Sequence, residues 1–331
     1  MNPEPLLAVQ RAGQLATTGP QINWLIEGLW ADQAVGILGG EPKCCKSFLA
    51  LEMALSIASG AACLRQFAVH RQGPVLLFPA EDSLAVVRLR LEGMASIAGV
   101  SLAALPIEVI TEPTLRLDLN ADRQRLSNTV ALIKPLLLIL DPLIRLHRAD
   151  ENDSSQMAGL LSFLRQLQRQ FQLAVLVVHH SRKDSGGSRP GQALRGSSDL
   201  HGWGDSNLYL RRRRDLLTLS TEHRAAPSRE HIPLQLMQID SALTLSILAD
   251  PPPNPSDPSA IDRIRQILTQ QSGPISLTRL RQLCGLRTAT VSTALNQLVE
   301  QGVVQRGPDG YQLKPPSDPP FPVSLPIDPL G

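Results

Sequence analysis

Aromatic residues are scarce in this chain, since Phe, Trp and Tyr together make up only 3% of its 331 residues. Hydrophobic residues still reach 43%, so aliphatic side chains must fill the cores. Single cores rarely grow beyond about 250–300 residues. The sequence therefore predicts two folded units that are packed mainly with Ala, Leu, Val and Ile.

Cysteine is also rare, and its spacing excludes two common uses. The four cysteines form neither a disulfide framework nor a C-x-x-C metal motif: Cys44, Cys45, Cys63 and Cys284. No apolar run approaches the roughly 18 residues of a membrane span. The first residues also lack the basic region followed by an apolar stretch that is typical of a signal peptide. A formal charge of +2 does not by itself indicate a nucleic-acid partner. We therefore expect a cytoplasmic protein with no membrane partner.

Strand-like and helical patterns alternate through the first two-thirds of the chain. Buried-type aliphatic runs occur at 35–38, 75–78, 107–110, 136–140 and 174–178. Helical periodicity lies between them at 47–59, 84–98, 121–134 and 154–170. This alternation predicts a three-layer α/β domain with a mainly parallel sheet. Four short runs beyond residue 206 predict an antiparallel extension of that sheet.

Proline marks the boundaries between the predicted domains. A lead-in at 1–30 precedes the α/β domain at 31–250, and a Pro-rich linker follows at 251–258. A small unit spans 259–313, and we expect the Pro-dense tail at 314–331 to be disordered.

The segment from residue 40 to 47 matches the phosphate-binding pattern G-x-x-x-x-G-K-S, except that Cys45 replaces the second glycine. It lies between a predicted strand and a predicted helix, which is the context that such a loop requires. Lys46 would reach the β- and γ-phosphates of ATP, and Ser47 would bind Mg²⁺. The alternative is an ordinary strand-to-helix turn. The predicted nucleotide-binding residues are Gly40, Glu41, Pro42, Lys43, Cys44, Cys45, Lys46, Ser47 and Phe48.

Cys45 departs from the pattern at a position where glycine supplies a positive φ. A side chain in that conformation costs on the order of 1–2 kcal/mol, which nucleotide binding can tolerate. The placement of the γ-phosphate is more sensitive, so we expect weakened ATP hydrolysis. For the thiol itself, an inert role is favoured over redox control.

Carboxylates follow two of the predicted strands. Asp141 ends an aliphatic strand in the manner of the Walker B residue that supports Mg²⁺. Glu81 follows another strand and is the candidate general base that orients the attacking water. Its alternative role is an early residue of the next helix, with Asp82 as the helix N-cap.

Two histidines close the last predicted parallel strand. His179 or His180 could contact the γ-phosphate and report its state to the following loop. Metal binding is the alternative, but no third ligand with suitable spacing is evident.

Residues 22–248 resemble the RecA-like P-loop ATPases of the hexameric RepA helicase type, an AAA-type grouping. The matching segments are 24–28, 39–51, 79–82, 141–142, 179–180 and 194–198. The resemblance implies ATP hydrolysis with Mg²⁺ in a homo-oligomeric ring, each site completed by an arginine from the neighbouring subunit. Arg211 or Arg212 is the candidate for that arginine. The alternative is that this arginine run lies on a solvated hairpin.

Two segments could contact DNA. Residues 259–313 resemble a winged helix-turn-helix, whose recognition-like helix carries Arg287, Thr288, Thr290 and Asn296. The alternative for this unit is a protein contact. The Gly-rich loop at 181–198 carries Arg182, Lys183, Arg189 and Arg195, and its alternative is a solvated surface loop.

These features predict a DNA-associated ATPase, either a helicase or a translocase. A second hypothesis is a hydrolysis-poor regulator that binds duplex DNA through the winged helix. Substitution of the P-loop glycine and the modest positive charge favour this second hypothesis.

Overall fold

The computed structural model describes residues 8–14, 22–149, 151, 153–180, 198–213, 216–248, 260–271, 273–284 and 288–314. The chain divides into two compact units, Met1–Ala249 and Asp250–Gly331. The predicted linker, and all but the first residue of the predicted tail, lie outside the described residues. Within the described ranges, no helix is long and apolar enough to span a membrane.

Among the described residues of the first unit, a short 3₁₀ helix (Ala12–Gln14) precedes a small hairpin, after which strands alternate with helices. The hairpin consists of β1 (Trp24–Ile26) and β2 (Trp30–Ala31). The alternating part contains β3 (Val35–Gly40), α1 (Lys46–Ser59), β4 (Val75–Pro79), α2 (Leu84–Ile97), β5 (Ile107–Val109), α3 (Asn120–Ile133), β6 (Leu137–Asp141), α4 (Ser154–Phe171) and β7 (Ala174–His180). The remaining elements are α5 (Ser198–Trp203), β8 (Ser206–Arg213), β9 (Leu216–His223), β10 (Arg229–Ile239) and β11 (Ala242–Ile247).

Nine strands form one sheet in the order β11-β10-β9-β8-β3-β7-β6-β4-β5. The strands from β8 to β5 in this order are parallel to their neighbours. Strands β8 to β11 pair antiparallel. The predicted fold class, a mainly parallel sheet with an antiparallel extension, is therefore confirmed.

Helices cover both faces of this sheet, which explains the uninterrupted aliphatic strands. On one face, β3 and β8 pack with Leu49 and Met53 of α1 and with Leu91 of α2. On the other face, the sheet packs with Leu126 of α3 and Leu164 of α4. A strand that is buried on both sides loses the polar alternation of a half-exposed strand.

Helix α2 corrects one interpretation from the sequence. Asp82 is not its N-cap, because Ser83 holds that position in an extended conformation and its side chain accepts from the Val86 amide. Serine is a strong capping residue and satisfies one of the free amides of the first turn. Asp82 is thereby left to pair with Arg90, one and a half turns into the helix.

The described part of the second unit contains three helices followed by a two-stranded sheet. Its elements are α6 (Ala260–Thr269), α7 (Leu277–Cys284), α8 (Thr288–Glu300), β12 (Val304–Gly307) and β13 (Gly310–Leu313). Ile264, Leu280 and Leu295 come from the three helices and are fully buried in one core. The strands form an antiparallel hairpin that follows α8 directly.

Candidate nucleotide-binding site

The loop between β3 and α1 contains two left-handed residues that are not glycine. Lys43 has φ 64°, and Cys45, the N-cap of α1, has φ 66° and ψ 26°. The Cys45 side chain makes no capping hydrogen bond to the helix. The left-handed backbone that the glycine pattern predicts at this position is therefore present, although an L side chain occupies it.

Gly40, at the start of the loop, leaves no space for a side chain. A Cβ built on it would lie 2.4 Å from the Leu210 carbonyl oxygen and 2.7 Å from the Cys44 sulfur. Strand β8 therefore passes directly beside the entrance to the loop. This close approach is a consequence of the missing side chain.

Lys46 reaches back over the loop from the first turn of α1. Its ammonium donates to the carbonyl oxygens of Gly40 at 3.0 Å and Glu41 at 2.8 Å. The residue is only 5% exposed, and burial lowers the pKa of its ammonium. The loop thus holds a desolvated cation whose hydrogen-bond acceptors are neutral carbonyl groups, while the charges of Asp141 and Glu81 partly oppose the effect of burial on its pKa. A phosphate group would be a stronger acceptor for it.

Ser47 and Asp141 lie together at the ends of two different elements. The pKa of the Asp141 carboxyl is raised to about 6, mainly by burial and also by the nearby carboxylates of Asp82 and Glu81. A hydrogen bond from Ser47 and the charge of Lys46 act in the opposite direction. The pair presents a hydroxyl and a carboxylate, which are ligands that Mg²⁺ accepts.

Glu81 lies next to this pair because β4 and β6 are neighbours, with Pro79 opposite Asp141 in the register. Its Oε1 accepts from Arg145 Nε at 2.9 Å. The side chains are 43% and 61% exposed, so the pair lies at the surface of the site. Arg145 belongs to a short 3₁₀ helix, Leu143–Arg145, that follows β6.

Phe48 and Asp82 are joined by a residue that the sequence analysis missed. Arg90 donates to Asp82 at 2.5 Å, and its guanidinium lies 4.8 Å from the centre of the Phe48 ring. This contact fastens α2 to the first turn of α1. The sequence offered no signal for either arginine, because Arg90 and Arg145 resemble ordinary surface residues there.

The two histidines lie beside the loop, since His179 pairs with Gly39 and His180 with Gly40 in the register of β7 and β3. His179 is 1% exposed, and its Nδ1 lies 3.6 Å from Oε1 of Glu151. Nε2 of His147 lies 3.9 Å from the same oxygen. Across the described residues, no group of three or more acidic, His or Cys side chains could hold a metal ion.

The arginine candidates on β8 lie on opposite faces of the sheet. Leu208 and Leu210 pack on the α1 face, whereas Tyr209 packs on the other. Because side chains alternate along a strand, Arg212 lies on the α1 face and Arg211 on the opposite one. Arg212 Nη2 lies 3.1 Å from Cys45 Sγ of the same chain.

The DNA-contact candidates are only partly described. Thr288, Thr290 and Asn296 are exposed on α8. The other candidates lie outside the described residues: Arg182, Lys183, Arg189, Arg195 and Arg287.

Part of this chain matches a known protein family. A family model described as an AAA domain matches residues 2–186, more than half of the chain. The chain belongs to the AAA domain family. The P-loop of this AAA domain protein and both strands that carry its acidic candidates lie inside the matched range.

The AAA domain protein also resembles solved helicase structures at low sequence identity. One, described as "ATPase Domain of G40P", is 15% identical with a TM-score of 0.50, over 64% of this chain and 85% of that one. Another, "The Structure Of A DnaB-Like Replicative Helicase And Its Interactions With Primase", is 15% identical with a TM-score of 0.51. The match covers 64% of this chain and 57% of that one. The fold is thus that of RecA-like helicase ATPase domains, which confirms the predicted resemblance.

Proposed function

We propose that this protein binds ATP with Mg²⁺ and hydrolyses it. The observation that carries the proposal is the position of Lys46, whose buried ammonium is held over the loop by two backbone carbonyl groups. A buried cation of this kind favours an anionic ligand, because charge-assisted hydrogen bonds are stronger than bonds to neutral carbonyls. Membership of the AAA domain family supports the same ligand.

The residues around Asp141 fit a divalent cation. Its carboxyl carries a raised pKa because it is buried near two further carboxylates. Ser47 and Asp141 would hold the ion, and Mg²⁺ bound there would neutralise charge on phosphate oxygens. A positive ion at this point would also favour the ionised form of Asp141.

The remaining residues suit the steps of hydrolysis. Glu81 is exposed at the edge of the site, and as a carboxylate it can orient and deprotonate a water molecule. Arg145 would hold Glu81 in position through their ion pair. His179 and His180 end the strand beside Gly40, where a polar group can respond to the state of the bound phosphates.

Nucleotide binding and turnover test this proposal in the full chain. Wild-type protein should take up a fluorescent Mg-ATP analogue with saturation and release phosphate steadily. Lys46→Ala should abolish both, while Arg71→Ala should change neither. Arg71 is exposed and pairs with Asp32 at the other end of β3. Absence of saturable uptake by the wild type at millimolar nucleotide would contradict the proposal.

We further propose that the ATPase acts on DNA as an oligomer, as a helicase or translocase. The similar solved structure described as a replicative helicase supports this reading through its fold. The segment 260–314 contains seven Lys and Arg residues and three Asp and Glu residues, so its net charge of +4 favours contact with DNA. The order of three helices and a hairpin in that segment is consistent with a winged helix that meets DNA through α8.

A hydrolysis-poor regulator remains the second candidate, favoured by the strained Cys45 in the P-loop. The two candidates differ in how DNA affects turnover. Phosphate release should rise several-fold with single-stranded DNA if the protein is a motor. Tight duplex binding with no turnover above the Lys46→Ala background would instead support the regulator. Sedimentation of the chain with a non-hydrolysed ATP analogue tests whether it assembles.

A further inference from the structure

We propose that Arg212 completes the nucleotide site of its own subunit, and that Cys45 holds it in place there. This inference rests on the proposed ATP-binding function. It differs from the role that the family resemblance implies for an arginine in this region, which is to reach the site of a neighbouring subunit.

The position of Arg212 follows from the pairing of β8 with β3. Leu208, Tyr209 and Leu210 lie opposite Leu38, Gly39 and Gly40. Strand β8 then continues past Gly40, alongside the phosphate-binding loop. Arg212 is two residues beyond Leu210 and lies on the α1 face of the sheet. The strand therefore carries this arginine towards its own loop.

The contact with Cys45 fixes where the guanidinium lies. Arg212 Nη2 is 3.1 Å from Cys45 Sγ, and Arg212 is an exposed residue. A guanidinium has five N–H donors, and sulfur is only a weak acceptor. One weak bond thus keeps the group at the loop, and its other donors make no hydrogen bond within the part of the chain that the structure describes. A phosphate oxygen would be a much stronger partner for them.

The departure from the glycine pattern has a function in this interpretation. Glycine at position 45 would offer no side chain to Arg212, whereas Cys45 offers a polarisable sulfur on a left-handed backbone. Together with Lys46, which is bound to the loop carbonyls, the chain brings two cations to one loop. The strain at Cys45 would be offset in part by this added phosphate ligand.

Equilibrium titration with a fluorescent Mg-ATP analogue tests the proposal. Arg212→Ala should weaken binding by about ten- to a hundredfold, the range for a lost charged hydrogen bond. The ratio of the dissociation constants of Arg212→Ala and wild type should be the same at protein concentrations where the chain is monomeric and at those where it is assembled. Arg212→Lys should recover part of the loss, and Arg71→Ala should lose nothing. Cys45→Ala should weaken binding a few-fold, but not in an Arg212→Ala background.

A mixing experiment separates the two subunit assignments. Lys46→Ala and Arg212→Ala chains, co-expressed with different tags, should stay as inactive in mixed assemblies as they are alone. Recovery of turnover would overturn the inference, because it requires Arg212 of one subunit to serve the loop of another. Equal affinity of wild type and Arg212→Ala would overturn it as well. Failure of the wild type itself to bind Mg-ATP would instead remove the proposed function on which it rests.

Discussion

Arg145 and Glu81 form an ion pair that connects the chain segments following two neighbouring strands, with Nε and Oε1 separated by 2.9 Å. The pair ties the candidate general base to the 3₁₀ helix after β6. Exposed ion pairs contribute little to stability, commonly about 0–1 kcal/mol. Its effect should therefore be seen in catalysis and not in folding.

Arg145→Ala should lower kcat roughly tenfold and leave the affinity for Mg-ATP unchanged, because a loosely held base reacts less often. Glu81→Gln should lower kcat by at least about a hundredfold, since it removes the base itself. Steady-state phosphate release and nucleotide titration measure the two quantities. Arg88→Ala is the matched control, because Arg88 forms a similar exposed pair with Glu92 at 2.8 Å. An unchanged kcat in Arg145→Ala would remove its positioning role.

Cys45→Gly should raise stability by on the order of 1 kcal/mol, because glycine has no penalty at φ 66°. It should also raise kcat several-fold by removing bulk beside the bound phosphates, while the affinity for Mg-ATP falls a few-fold because Arg212 loses its contact with the sulfur. Chemical denaturation and steady-state turnover give the two values. Gln33→Gly is the control, since Gln33 has φ 54° but precedes β3 at its far end. That variant should gain similar stability with unchanged turnover. No gain in kcat for Cys45→Gly would show that the cysteine side chain does not hinder hydrolysis.

Gly40→Ala should destabilise the first unit by several kcal/mol and abolish nucleotide binding. The added Cβ would meet the Leu210 carbonyl at 2.4 Å, so β8 or the loop must move. Thermal unfolding and nucleotide titration test this. Gly159→Ala supplies the control, because a Cβ on Gly159 meets nothing within 4 Å and the residue lies in α4. The Gly159→Ala variant should be slightly more stable than wild type. Normal nucleotide affinity in Gly40→Ala would show that the close approach is not needed.

The raised pKa of Asp141 predicts a particular pH dependence of stability without metal or nucleotide. The folded carboxyl titrates at about 6 and the unfolded one near its ordinary 3.8, so the folded state binds the proton more tightly. The free energy of unfolding should therefore fall as the pH rises from about 4 to 6. Denaturation of wild type and Asp141→Asn in a chelating buffer measures it. Across this pH range, the free energy of unfolding of the wild type should fall by up to about 3 kcal/mol relative to that of the variant. If the free energies of unfolding of wild type and Asp141→Asn change with pH in parallel, the pKa of Asp141 is not raised in the folded state.

DNA binding by the second unit should depend steeply on salt, because the chain has few aromatic residues for stacking. Arg287→Ala should weaken duplex binding at all sequences and reduce the slope of log K against log salt by about 1. Asn296→Ala should weaken binding with little change in slope. Thr269→Ala on α6 is the control, since its hydroxyl donates to the Arg265 carbonyl oxygen within its own helix. Identical isotherms for all variants would favour a protein partner for this unit.

The sequence predicted the fold well because its strands are buried on both faces. Aliphatic runs such as 174–178 and the helix after Cys45 lie close to β7 and α1 as observed. The short hairpin Trp24–Ile26 and Trp30–Ala31 was missed, since two or three residues carry no periodicity. The P-loop was found from its glycine, lysine and serine. The contacts that Arg145, Arg90 and Arg212 make depend on how the elements pack together, which one sequence does not reveal.

The narrow seam between β3 and β8 has a mechanical consequence. Within the sheet, the antiparallel strands join the parallel ones through three residue pairs, and two of those pairs contain Gly39 and Gly40. These glycines are also the last residues before the phosphate-binding loop. If β8 to β11 slide past the parallel strands, the backbone at the start of that loop would therefore move first. Conversely, a change in the shape of the loop would shift β8 and, through it, β9 to β11.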